Sequence, residues 1–217
     1  MNPLLALVAI AVTAGGVISV GARDGRLALA GLAAVLLVSP FLADPLPAAL
    51  ALAVRVVAAL LAGYLAWIAV RSPGSVTRGS LLGWPVEALV AAAAFIVGFG
   101  TAGLGAHPLG PAEAQAAGFA LVTLSVAPIV HGRDVYRLGS GAVLLVTGVL
   151  LIRAALAGTP TQLEELVSAA LFIGLGGAVA FLVAEAERAG ASGGEVLGDG
   201  SPDPATVQAS RVATEPR

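Results

Sequence analysis

Apolar residues in this chain neither alternate nor gather on one helical face; they run on without interruption. Seven such runs, of about 17 to 25 residues each, are separated by short polar turns. They cover residues 3–20, 27–43, 46–70, 85–105, 113–130, 138–157 and 161–184. A helix of ~20 apolar residues crosses a hydrocarbon core of ~30 Å. Buried helices of a soluble protein would need polar faces at helical spacing to meet water, and most of these runs have none. The pattern therefore predicts an all-α, polytopic membrane protein of about seven transmembrane helices, forming one helical domain over residues 1–188.

Local signals punctuate the runs. Pro40 near the end of the second run predicts a kink or a stop, because proline has no N–H for the helical ladder. Pro85 stands where a first-turn proline belongs. Thr161-Gln162-Leu163-Glu164 fits a capping box opening the seventh helix. Residues 189–217 are rich in Gly, Ser, Pro and Asp without apolar periodicity, which predicts a disordered tail. Met1-Asn2 offers no basic leader and the first run exceeds a signal-peptide core, so a cleavable signal is not expected.

The arginines orient the chain. Arg23 and Arg26 follow the first run, Arg71 and Arg78 the third, Arg133 and Arg137 the fifth, and Arg188, Arg211 and Arg217 the seventh. The intervening turns hold none. Alternate basic turns predict the N-terminus outside and the C-terminus, with its tail, in the cytoplasm. Tyr64, Trp67, Trp84 and Tyr136 then fall near the cytoplasmic interface, where amphipathic aromatic rings settle.

Composition narrows the function classes. Only 11% of the 217 residues are charged against 58% hydrophobic, well under the ~25% charged of soluble domains. The net charge of −2 offers no nucleic-acid footprint. There is no cysteine, which removes disulfides and thiolate chemistry. All eleven basic residues are arginine, so no lysine is available for the Schiff base of a retinal protein. Gly98-Phe-Gly100-Thr-Ala-Gly103 matches a dinucleotide fingerprint in letters, but no strand precedes it and it ends a membrane helix. Close helix packing accounts for these glycines, as for Gly174, Gly176 and Gly177. No nucleophile–base–acid set stands out, and no cofactor is expected.

Polar groups at membrane depth are costly and are functional candidates. Arg55 lies about nine residues, or ~13 Å, inside the third run. It reads either as a charge in a polar channel or subunit interface, or as a side chain that snorkels or pairs with a carbonyl. Arg153, a turn from the outer end of the sixth run, is placed to snorkel. Glu87 in the first turn of the fourth helix either complements the helix dipole or relays protons. His131 and Asp134 flank the turn before the sixth helix, as a solvated turn or as a proton entry. His107 falls in an outer loop.

The stretch from His131 to Arg188 carries a resemblance. Gly132-Arg133-Asp134-Val135-Tyr136-Arg137 forms a basic turn. Leu144-Leu145-Val146-Thr147-Gly148 and Leu150–Leu156 follow, and Gln162-Leu163-Glu164-Glu165-Leu166-Val167 opens the last helix. This layout resembles the small K-type (4L) membrane subunit of respiratory complex I. With further helices in front, and with Val17–Arg23 similar as well, it resembles component E of hydrogenase-4 and formate hydrogenlyase-type complexes. The resemblance implies a prokaryotic plasma-membrane subunit beside antiporter-like partners, with the redox centres elsewhere. In the K-type subunit each of the last two helices holds a glutamate on a proton route. Here the regions around Val143–Thr147 and Gly174 hold no acid. A structural or coupling role is expected rather than proton translocation by this chain. The alternative is a small multi-pass transporter or channel with Arg55 near the substrate path.

Overall fold

The structure, a computed structural model, describes residues 2–44, 46–71, 83–102, 109–132, 134–158 and 160–188. Among them the chain forms seven α-helices and no strand. These are α1 (Pro3–Gly21), α2 (Gly25–Val38), α3 (Ala49–Arg71), α4 (Trp84–Gly100), α5 (Ala112–His131), α6 (Val135–Ala157) and α7 (Gln162–Arg188). α1, α2, α6 and α7 begin where side chains satisfy free backbone amides. Asn2 Oδ1 accepts from the Leu4 N–H at 3.1 Å, Asp24 Oδ1 from Arg26 at 2.9 Å, and Asp134 Oδ1 from Tyr136 at 3.1 Å. The capping box of α7 is reciprocal: the Glu164 N–H donates to Thr161 Oγ1, and the Thr161 N–H donates to Glu164 Oε2. Gly158, with φ +79°, closes α6 in a backbone conformation that only glycine adopts readily.

Several boundaries differ from the apolar runs. The second run splits, with α2 ending at Val38 and a 3-10 turn over Ser39–Leu42. Pro40 cannot donate to the carbonyl four residues back, so the regular ladder stops there. α3 starts at Ala49 rather than Leu46. Leu46 and Pro47 precede it outside the helix, and Arg55 stands only ~9 Å from the helix start. α4 ends at Gly100 instead of Gly105. Its 17 residues span only ~25 Å; six other spans, one of them α2 continued through the 3-10 turn to Leu42, are long and apolar enough to cross a membrane. α6 starts earlier, at Val135, and α7 runs on to Arg188. The predicted tail, His107, Arg78 and Arg133 lie outside the described residues.

The surface fits lipid rather than water. Leu50 is 74% exposed, Leu89 71% and Ile96 70%. Such residues recur on the outer sides of α1, α3, α4 and α7, and no polar belt covers them. This is a polytopic helical membrane protein.

The interior is built from small residues. α5 is the central helix, with Ala114, Ala116, Ala117, Ala120 and Leu121 fully buried. It lies antiparallel to α6, and α5 with the turn before it approaches α6 closely at three levels. A Cβ on Gly110 would meet the Ala154 carbonyl, one on Gly118 the Gly148 carbonyl, and one on Gly141 the Pro128 ring. α4 approaches α5 at Gly98, α1 approaches it at Gly16, and α1 meets α2 where Gly15 and Gly31 face each other. Without a hydrophobic drive between helices in lipid, such close backbone approach supplies the dispersion contact. α3 and α7 form a second layer. They run parallel, since Arg55 meets Glu165 and, further along both, Ala62 meets Gly176. Gly174 and Gly177, expected to pack closely like Gly176, have no atom of the described structure within reach of a Cβ. They point in other directions from α7 than Gly176, which faces α3.

Candidate functional site

Two ion pairs stand at one end of the bundle. α3 carries Arg55 and α7 carries Glu165 in its first turn. Arg55 Nη1 donates to Glu165 Oε1 at 2.9 Å, and the two side chains are only 10% and 3% exposed. Arg55 therefore neither snorkels nor stands alone; a carboxylate from another helix meets it inside the protein. Burial of this kind costs several kcal/mol per ion, and mutual attraction offsets it only while both partners are present.

The second pair lies beside the first. Arg153, four residues before the end of α6, donates from Nη2 to both oxygens of Glu164, at 2.5 and 2.6 Å, and from Nη1 to the Gly158 carbonyl at 3.3 Å. The Arg153 and Glu164 side chains are 31% and 41% exposed, so this pair sits at the rim, where water weakens it. The Arg153 side chain reaches towards the C-terminal end of α6, where Glu164 gives it a fixed partner. Successive residues on a helix point about 100° apart. Glu164 thus turns to α6 while Glu165 turns to α3.

All four charged side chains line one cavity of about 340 Å³. Ser39 and Pro40, from the turn that ends α2, form another part of its wall, and Val149, Val167 and Leu171 extend it along α6 and α7. Ser168 donates its hydroxyl back to the Glu165 carbonyl at 2.9 Å. The second oxygen of Glu165, Oε2, is buried away from the surface and accepts no hydrogen bond.

The other sequence candidates do not join this cluster. Glu87 is at the opposite end of the bundle, beside the end of α1, where a Cβ on Gly21 would meet its Oε2 at 2.7 Å. It is 4% exposed and neither oxygen has a hydrogen-bond partner. Asp134 caps α6, which is a structural task. His131 ends α5 and is exposed. Of the aromatic residues expected at the interface, Trp67 stacks under the Arg71 guanidinium at 3.7 Å and lies 5.9 Å from Tyr64. Tyr136 departs from that expectation. It is 2% exposed, packed with Ala28 and Ala66, and its hydroxyl has no partner. Among the described residues no three His, Asp or Glu side chains come together as a metal site.

Glu165 was the residue that sequence reasoning passed over. Its neighbour Glu164 was legible through the capping box, a local pattern. The available signal was topological: with alternate turns basic, Arg55, Arg153 and the start of α7 fall at the same end. Comparison with known proteins gave no match to a family model, a curated protein or a solved structure.

Proposed function

We propose that this chain is an integral membrane subunit of a complex-I-like or membrane-bound hydrogenase-type respiratory assembly, where it holds antiporter-like neighbours in place rather than moving protons itself. One observation carries the reading. The last two helices, which bear the resemblance to the K-type subunit, keep their charges at the ends. α6 contains no acidic residue, and the acids of α7 lie in its first turn and its last. A chain of carboxylates through the middle of the bilayer is the usual means of relaying protons, and the apolar centre of this pair supplies none. Gly63 of α3 and Gly174 and Gly177 of α7, with nothing within 4 Å of an added Cβ, add a surface on which another helix could approach closely.

The test is extraction of the native membrane in mild detergent. The chain should migrate in a large assembly containing antiporter-like and redox subunits, and deleting its gene should dissolve that assembly. Isolation of the chain by itself, with solute transport after reconstitution into liposomes, would reject this role. That outcome would instead favour a small multi-pass transporter, a reading supported by the charged cavity around Arg55.

A further inference from the structure

We infer that the cavity between α6 and α7 holds a membrane lipid by an uncharged carbonyl, which accepts from Arg55 while the hydrocarbon tail lies in the gap between the two helices. This holds whether or not the chain serves in a larger assembly.

The hydrogen-bonding capacity left in the wall selects the head. Two arginines and two glutamates line the cavity, so it has no net charge to draw an ion. The carboxylates are engaged. Glu164 accepts from Arg153 at both oxygens, Glu165 accepts from Arg55 at Oε1, and Glu165 Oε2 is closed off from any occupant. A donor such as an ammonium therefore meets no unengaged carboxylate oxygen. Arg55 is different. A guanidinium has five N–H donors, and among the described residues Arg55 makes one hydrogen bond, from Nη1 to Glu165. Its Nε and Nη2 meet no acceptor there, and unlike Glu165 Oε2 they are not among the closed-off atoms of the interior. The side chain is only 10% exposed, so water serves these donors poorly, and a buried donor left unpaired is costly. The occupant that completes the site must bring an acceptor. An anion would bring one, but it would lie beside the negative charges of Glu164 and Glu165, which repel it. A carbonyl oxygen brings two lone pairs and no charge.

The shape selects the tail. The charged part of the cavity is at the helix ends, where the polar parts of lipids lie. Seven residues along α7 from Glu164, about 10 Å deeper, the wall is Leu171. Along this path Val149 is 52% exposed and Val167 59%, so both border the cavity and the bilayer-facing surface together. The cavity thus opens sideways into the membrane and turns apolar with depth, and a hydrocarbon chain entering from the bilayer fits that lower wall. Its volume of about 340 Å³ accommodates a head and the start of a tail, within the ~300–1,000 Å³ of small-molecule sites.

Two kinds of membrane lipid carry such a carbonyl: the ester of a diacylglycerol and the ring ketone of a prenylated quinone. The experiment gives both to the full chain, delipidated in detergent, beside a dialkylglycerol and a phosphatidic acid with chains of the same length. Native mass spectrometry should show the diacylglycerol or the quinone retained at least about tenfold over the dialkylglycerol, which lacks the carbonyl; a hydrogen bond to a charged group supplies that factor. Whichever of the two is retained more identifies the source. The infrared stretch of an isotope-labelled carbonyl in that lipid should move to lower wavenumber on binding. Arg55→Leu with Glu165→Leu removes the donors without stranding a charge, and should bring the retention ratio to about one and return the carbonyl band to its free position. Val167→Trp fills the gap from the lipid side and should abolish retention while leaving the unfolding midpoint in lipid-free detergent unchanged; Leu171→Trp is the second block if that variant folds poorly. Equal retention of carbonyl and ether lipids, stronger retention of the phosphatidic acid, or a carbonyl band that keeps its shift in the double variant overturns the assignment.

Discussion

The α5–α6 and α3–α7 pairs solve the same problem by different means. α5 and α6 are neighbours in sequence, run antiparallel, and interlock through glycines at several levels. α3 and α7 are far apart in sequence and run parallel. Their described contacts include a single glycine approach, at Gly176, and a buried ion pair. The first pair is held by shape along its whole length. The second concentrates its specificity near one end, in two charged groups that cannot be left in lipid separately. Shape complementarity tolerates no added volume, whereas an ion pair tolerates no removed partner.

The largest effect should come from breaking the ion pair. Arg55→Leu leaves Glu165 buried without a counter-charge and should cost ~3–5 kcal/mol, read as the unfolding free energy in detergent micelles. Arg55→Leu combined with Glu165→Leu should recover most of that loss, since an apolar pair is no worse than a paired charge in such a site. A single variant costing under ~1 kcal/mol would mean water already reaches the pair, as at exposed ion pairs.

Next in size is Gly118→Val, which pushes a side chain into the Gly148 carbonyl and the Ile152 side chain. Overpacking of this kind costs ~1–3 kcal/mol, and the loss should be accompanied by weaker protection of α5 and α6 amides in hydrogen exchange. Protection lost equally in α3 would show that the two pairs are not separate units.

Trp67→Leu removes the ring beneath Arg71 and should cost only ~0.5–1 kcal/mol, the worth of a cation–π contact near the surface. The smallest effect has the opposite sign. Gly177→Ala adds a methyl where nothing stands near, and alanine is favoured over glycine inside a helix by ~0.5–1 kcal/mol. The isolated chain should therefore become slightly more stable. A bulkier Gly177→Leu should leave the isolated chain folded, and on the proposed role as an assembly subunit it should loosen the hold on a neighbouring subunit, measured by co-purification.

The sequence made the all-α membrane architecture legible because lipid is an undemanding judge of pattern: long apolar runs need only be counted. The capping box at Thr161 and the break at Pro40 were legible because they act over a few residues. The Arg55–Glu165 pair was not, since its members are 110 residues apart and their meeting depends on which helices become neighbours. Arg55 was visible as a charge in the wrong place, but its partner looked like an ordinary acidic helix start. Tyr136 misled for a related reason. An aromatic residue at a helix end normally faces the interface, and only the closing of α2 and α3 beside it buries the ring. Gly174 and Gly177 had the composition of packed residues, yet no described helix packs on them.

The separation of Arg55 from Glu165 also sets an order of events during synthesis. α3 leaves the ribosome and enters the bilayer long before α7 exists. An unpaired arginine within a membrane helix weighs ~2.5–3.5 kcal/mol against insertion at the helix centre, and less near the end where Arg55 lies. The third helix must therefore wait, with its charge drawn towards the headgroups, through the making of three more helices. Only when the last one arrives can that arginine settle inward. A nascent chain stopped before Gln162 would contain six of the seven helices and still lack the counter-charge that tells the third where to rest.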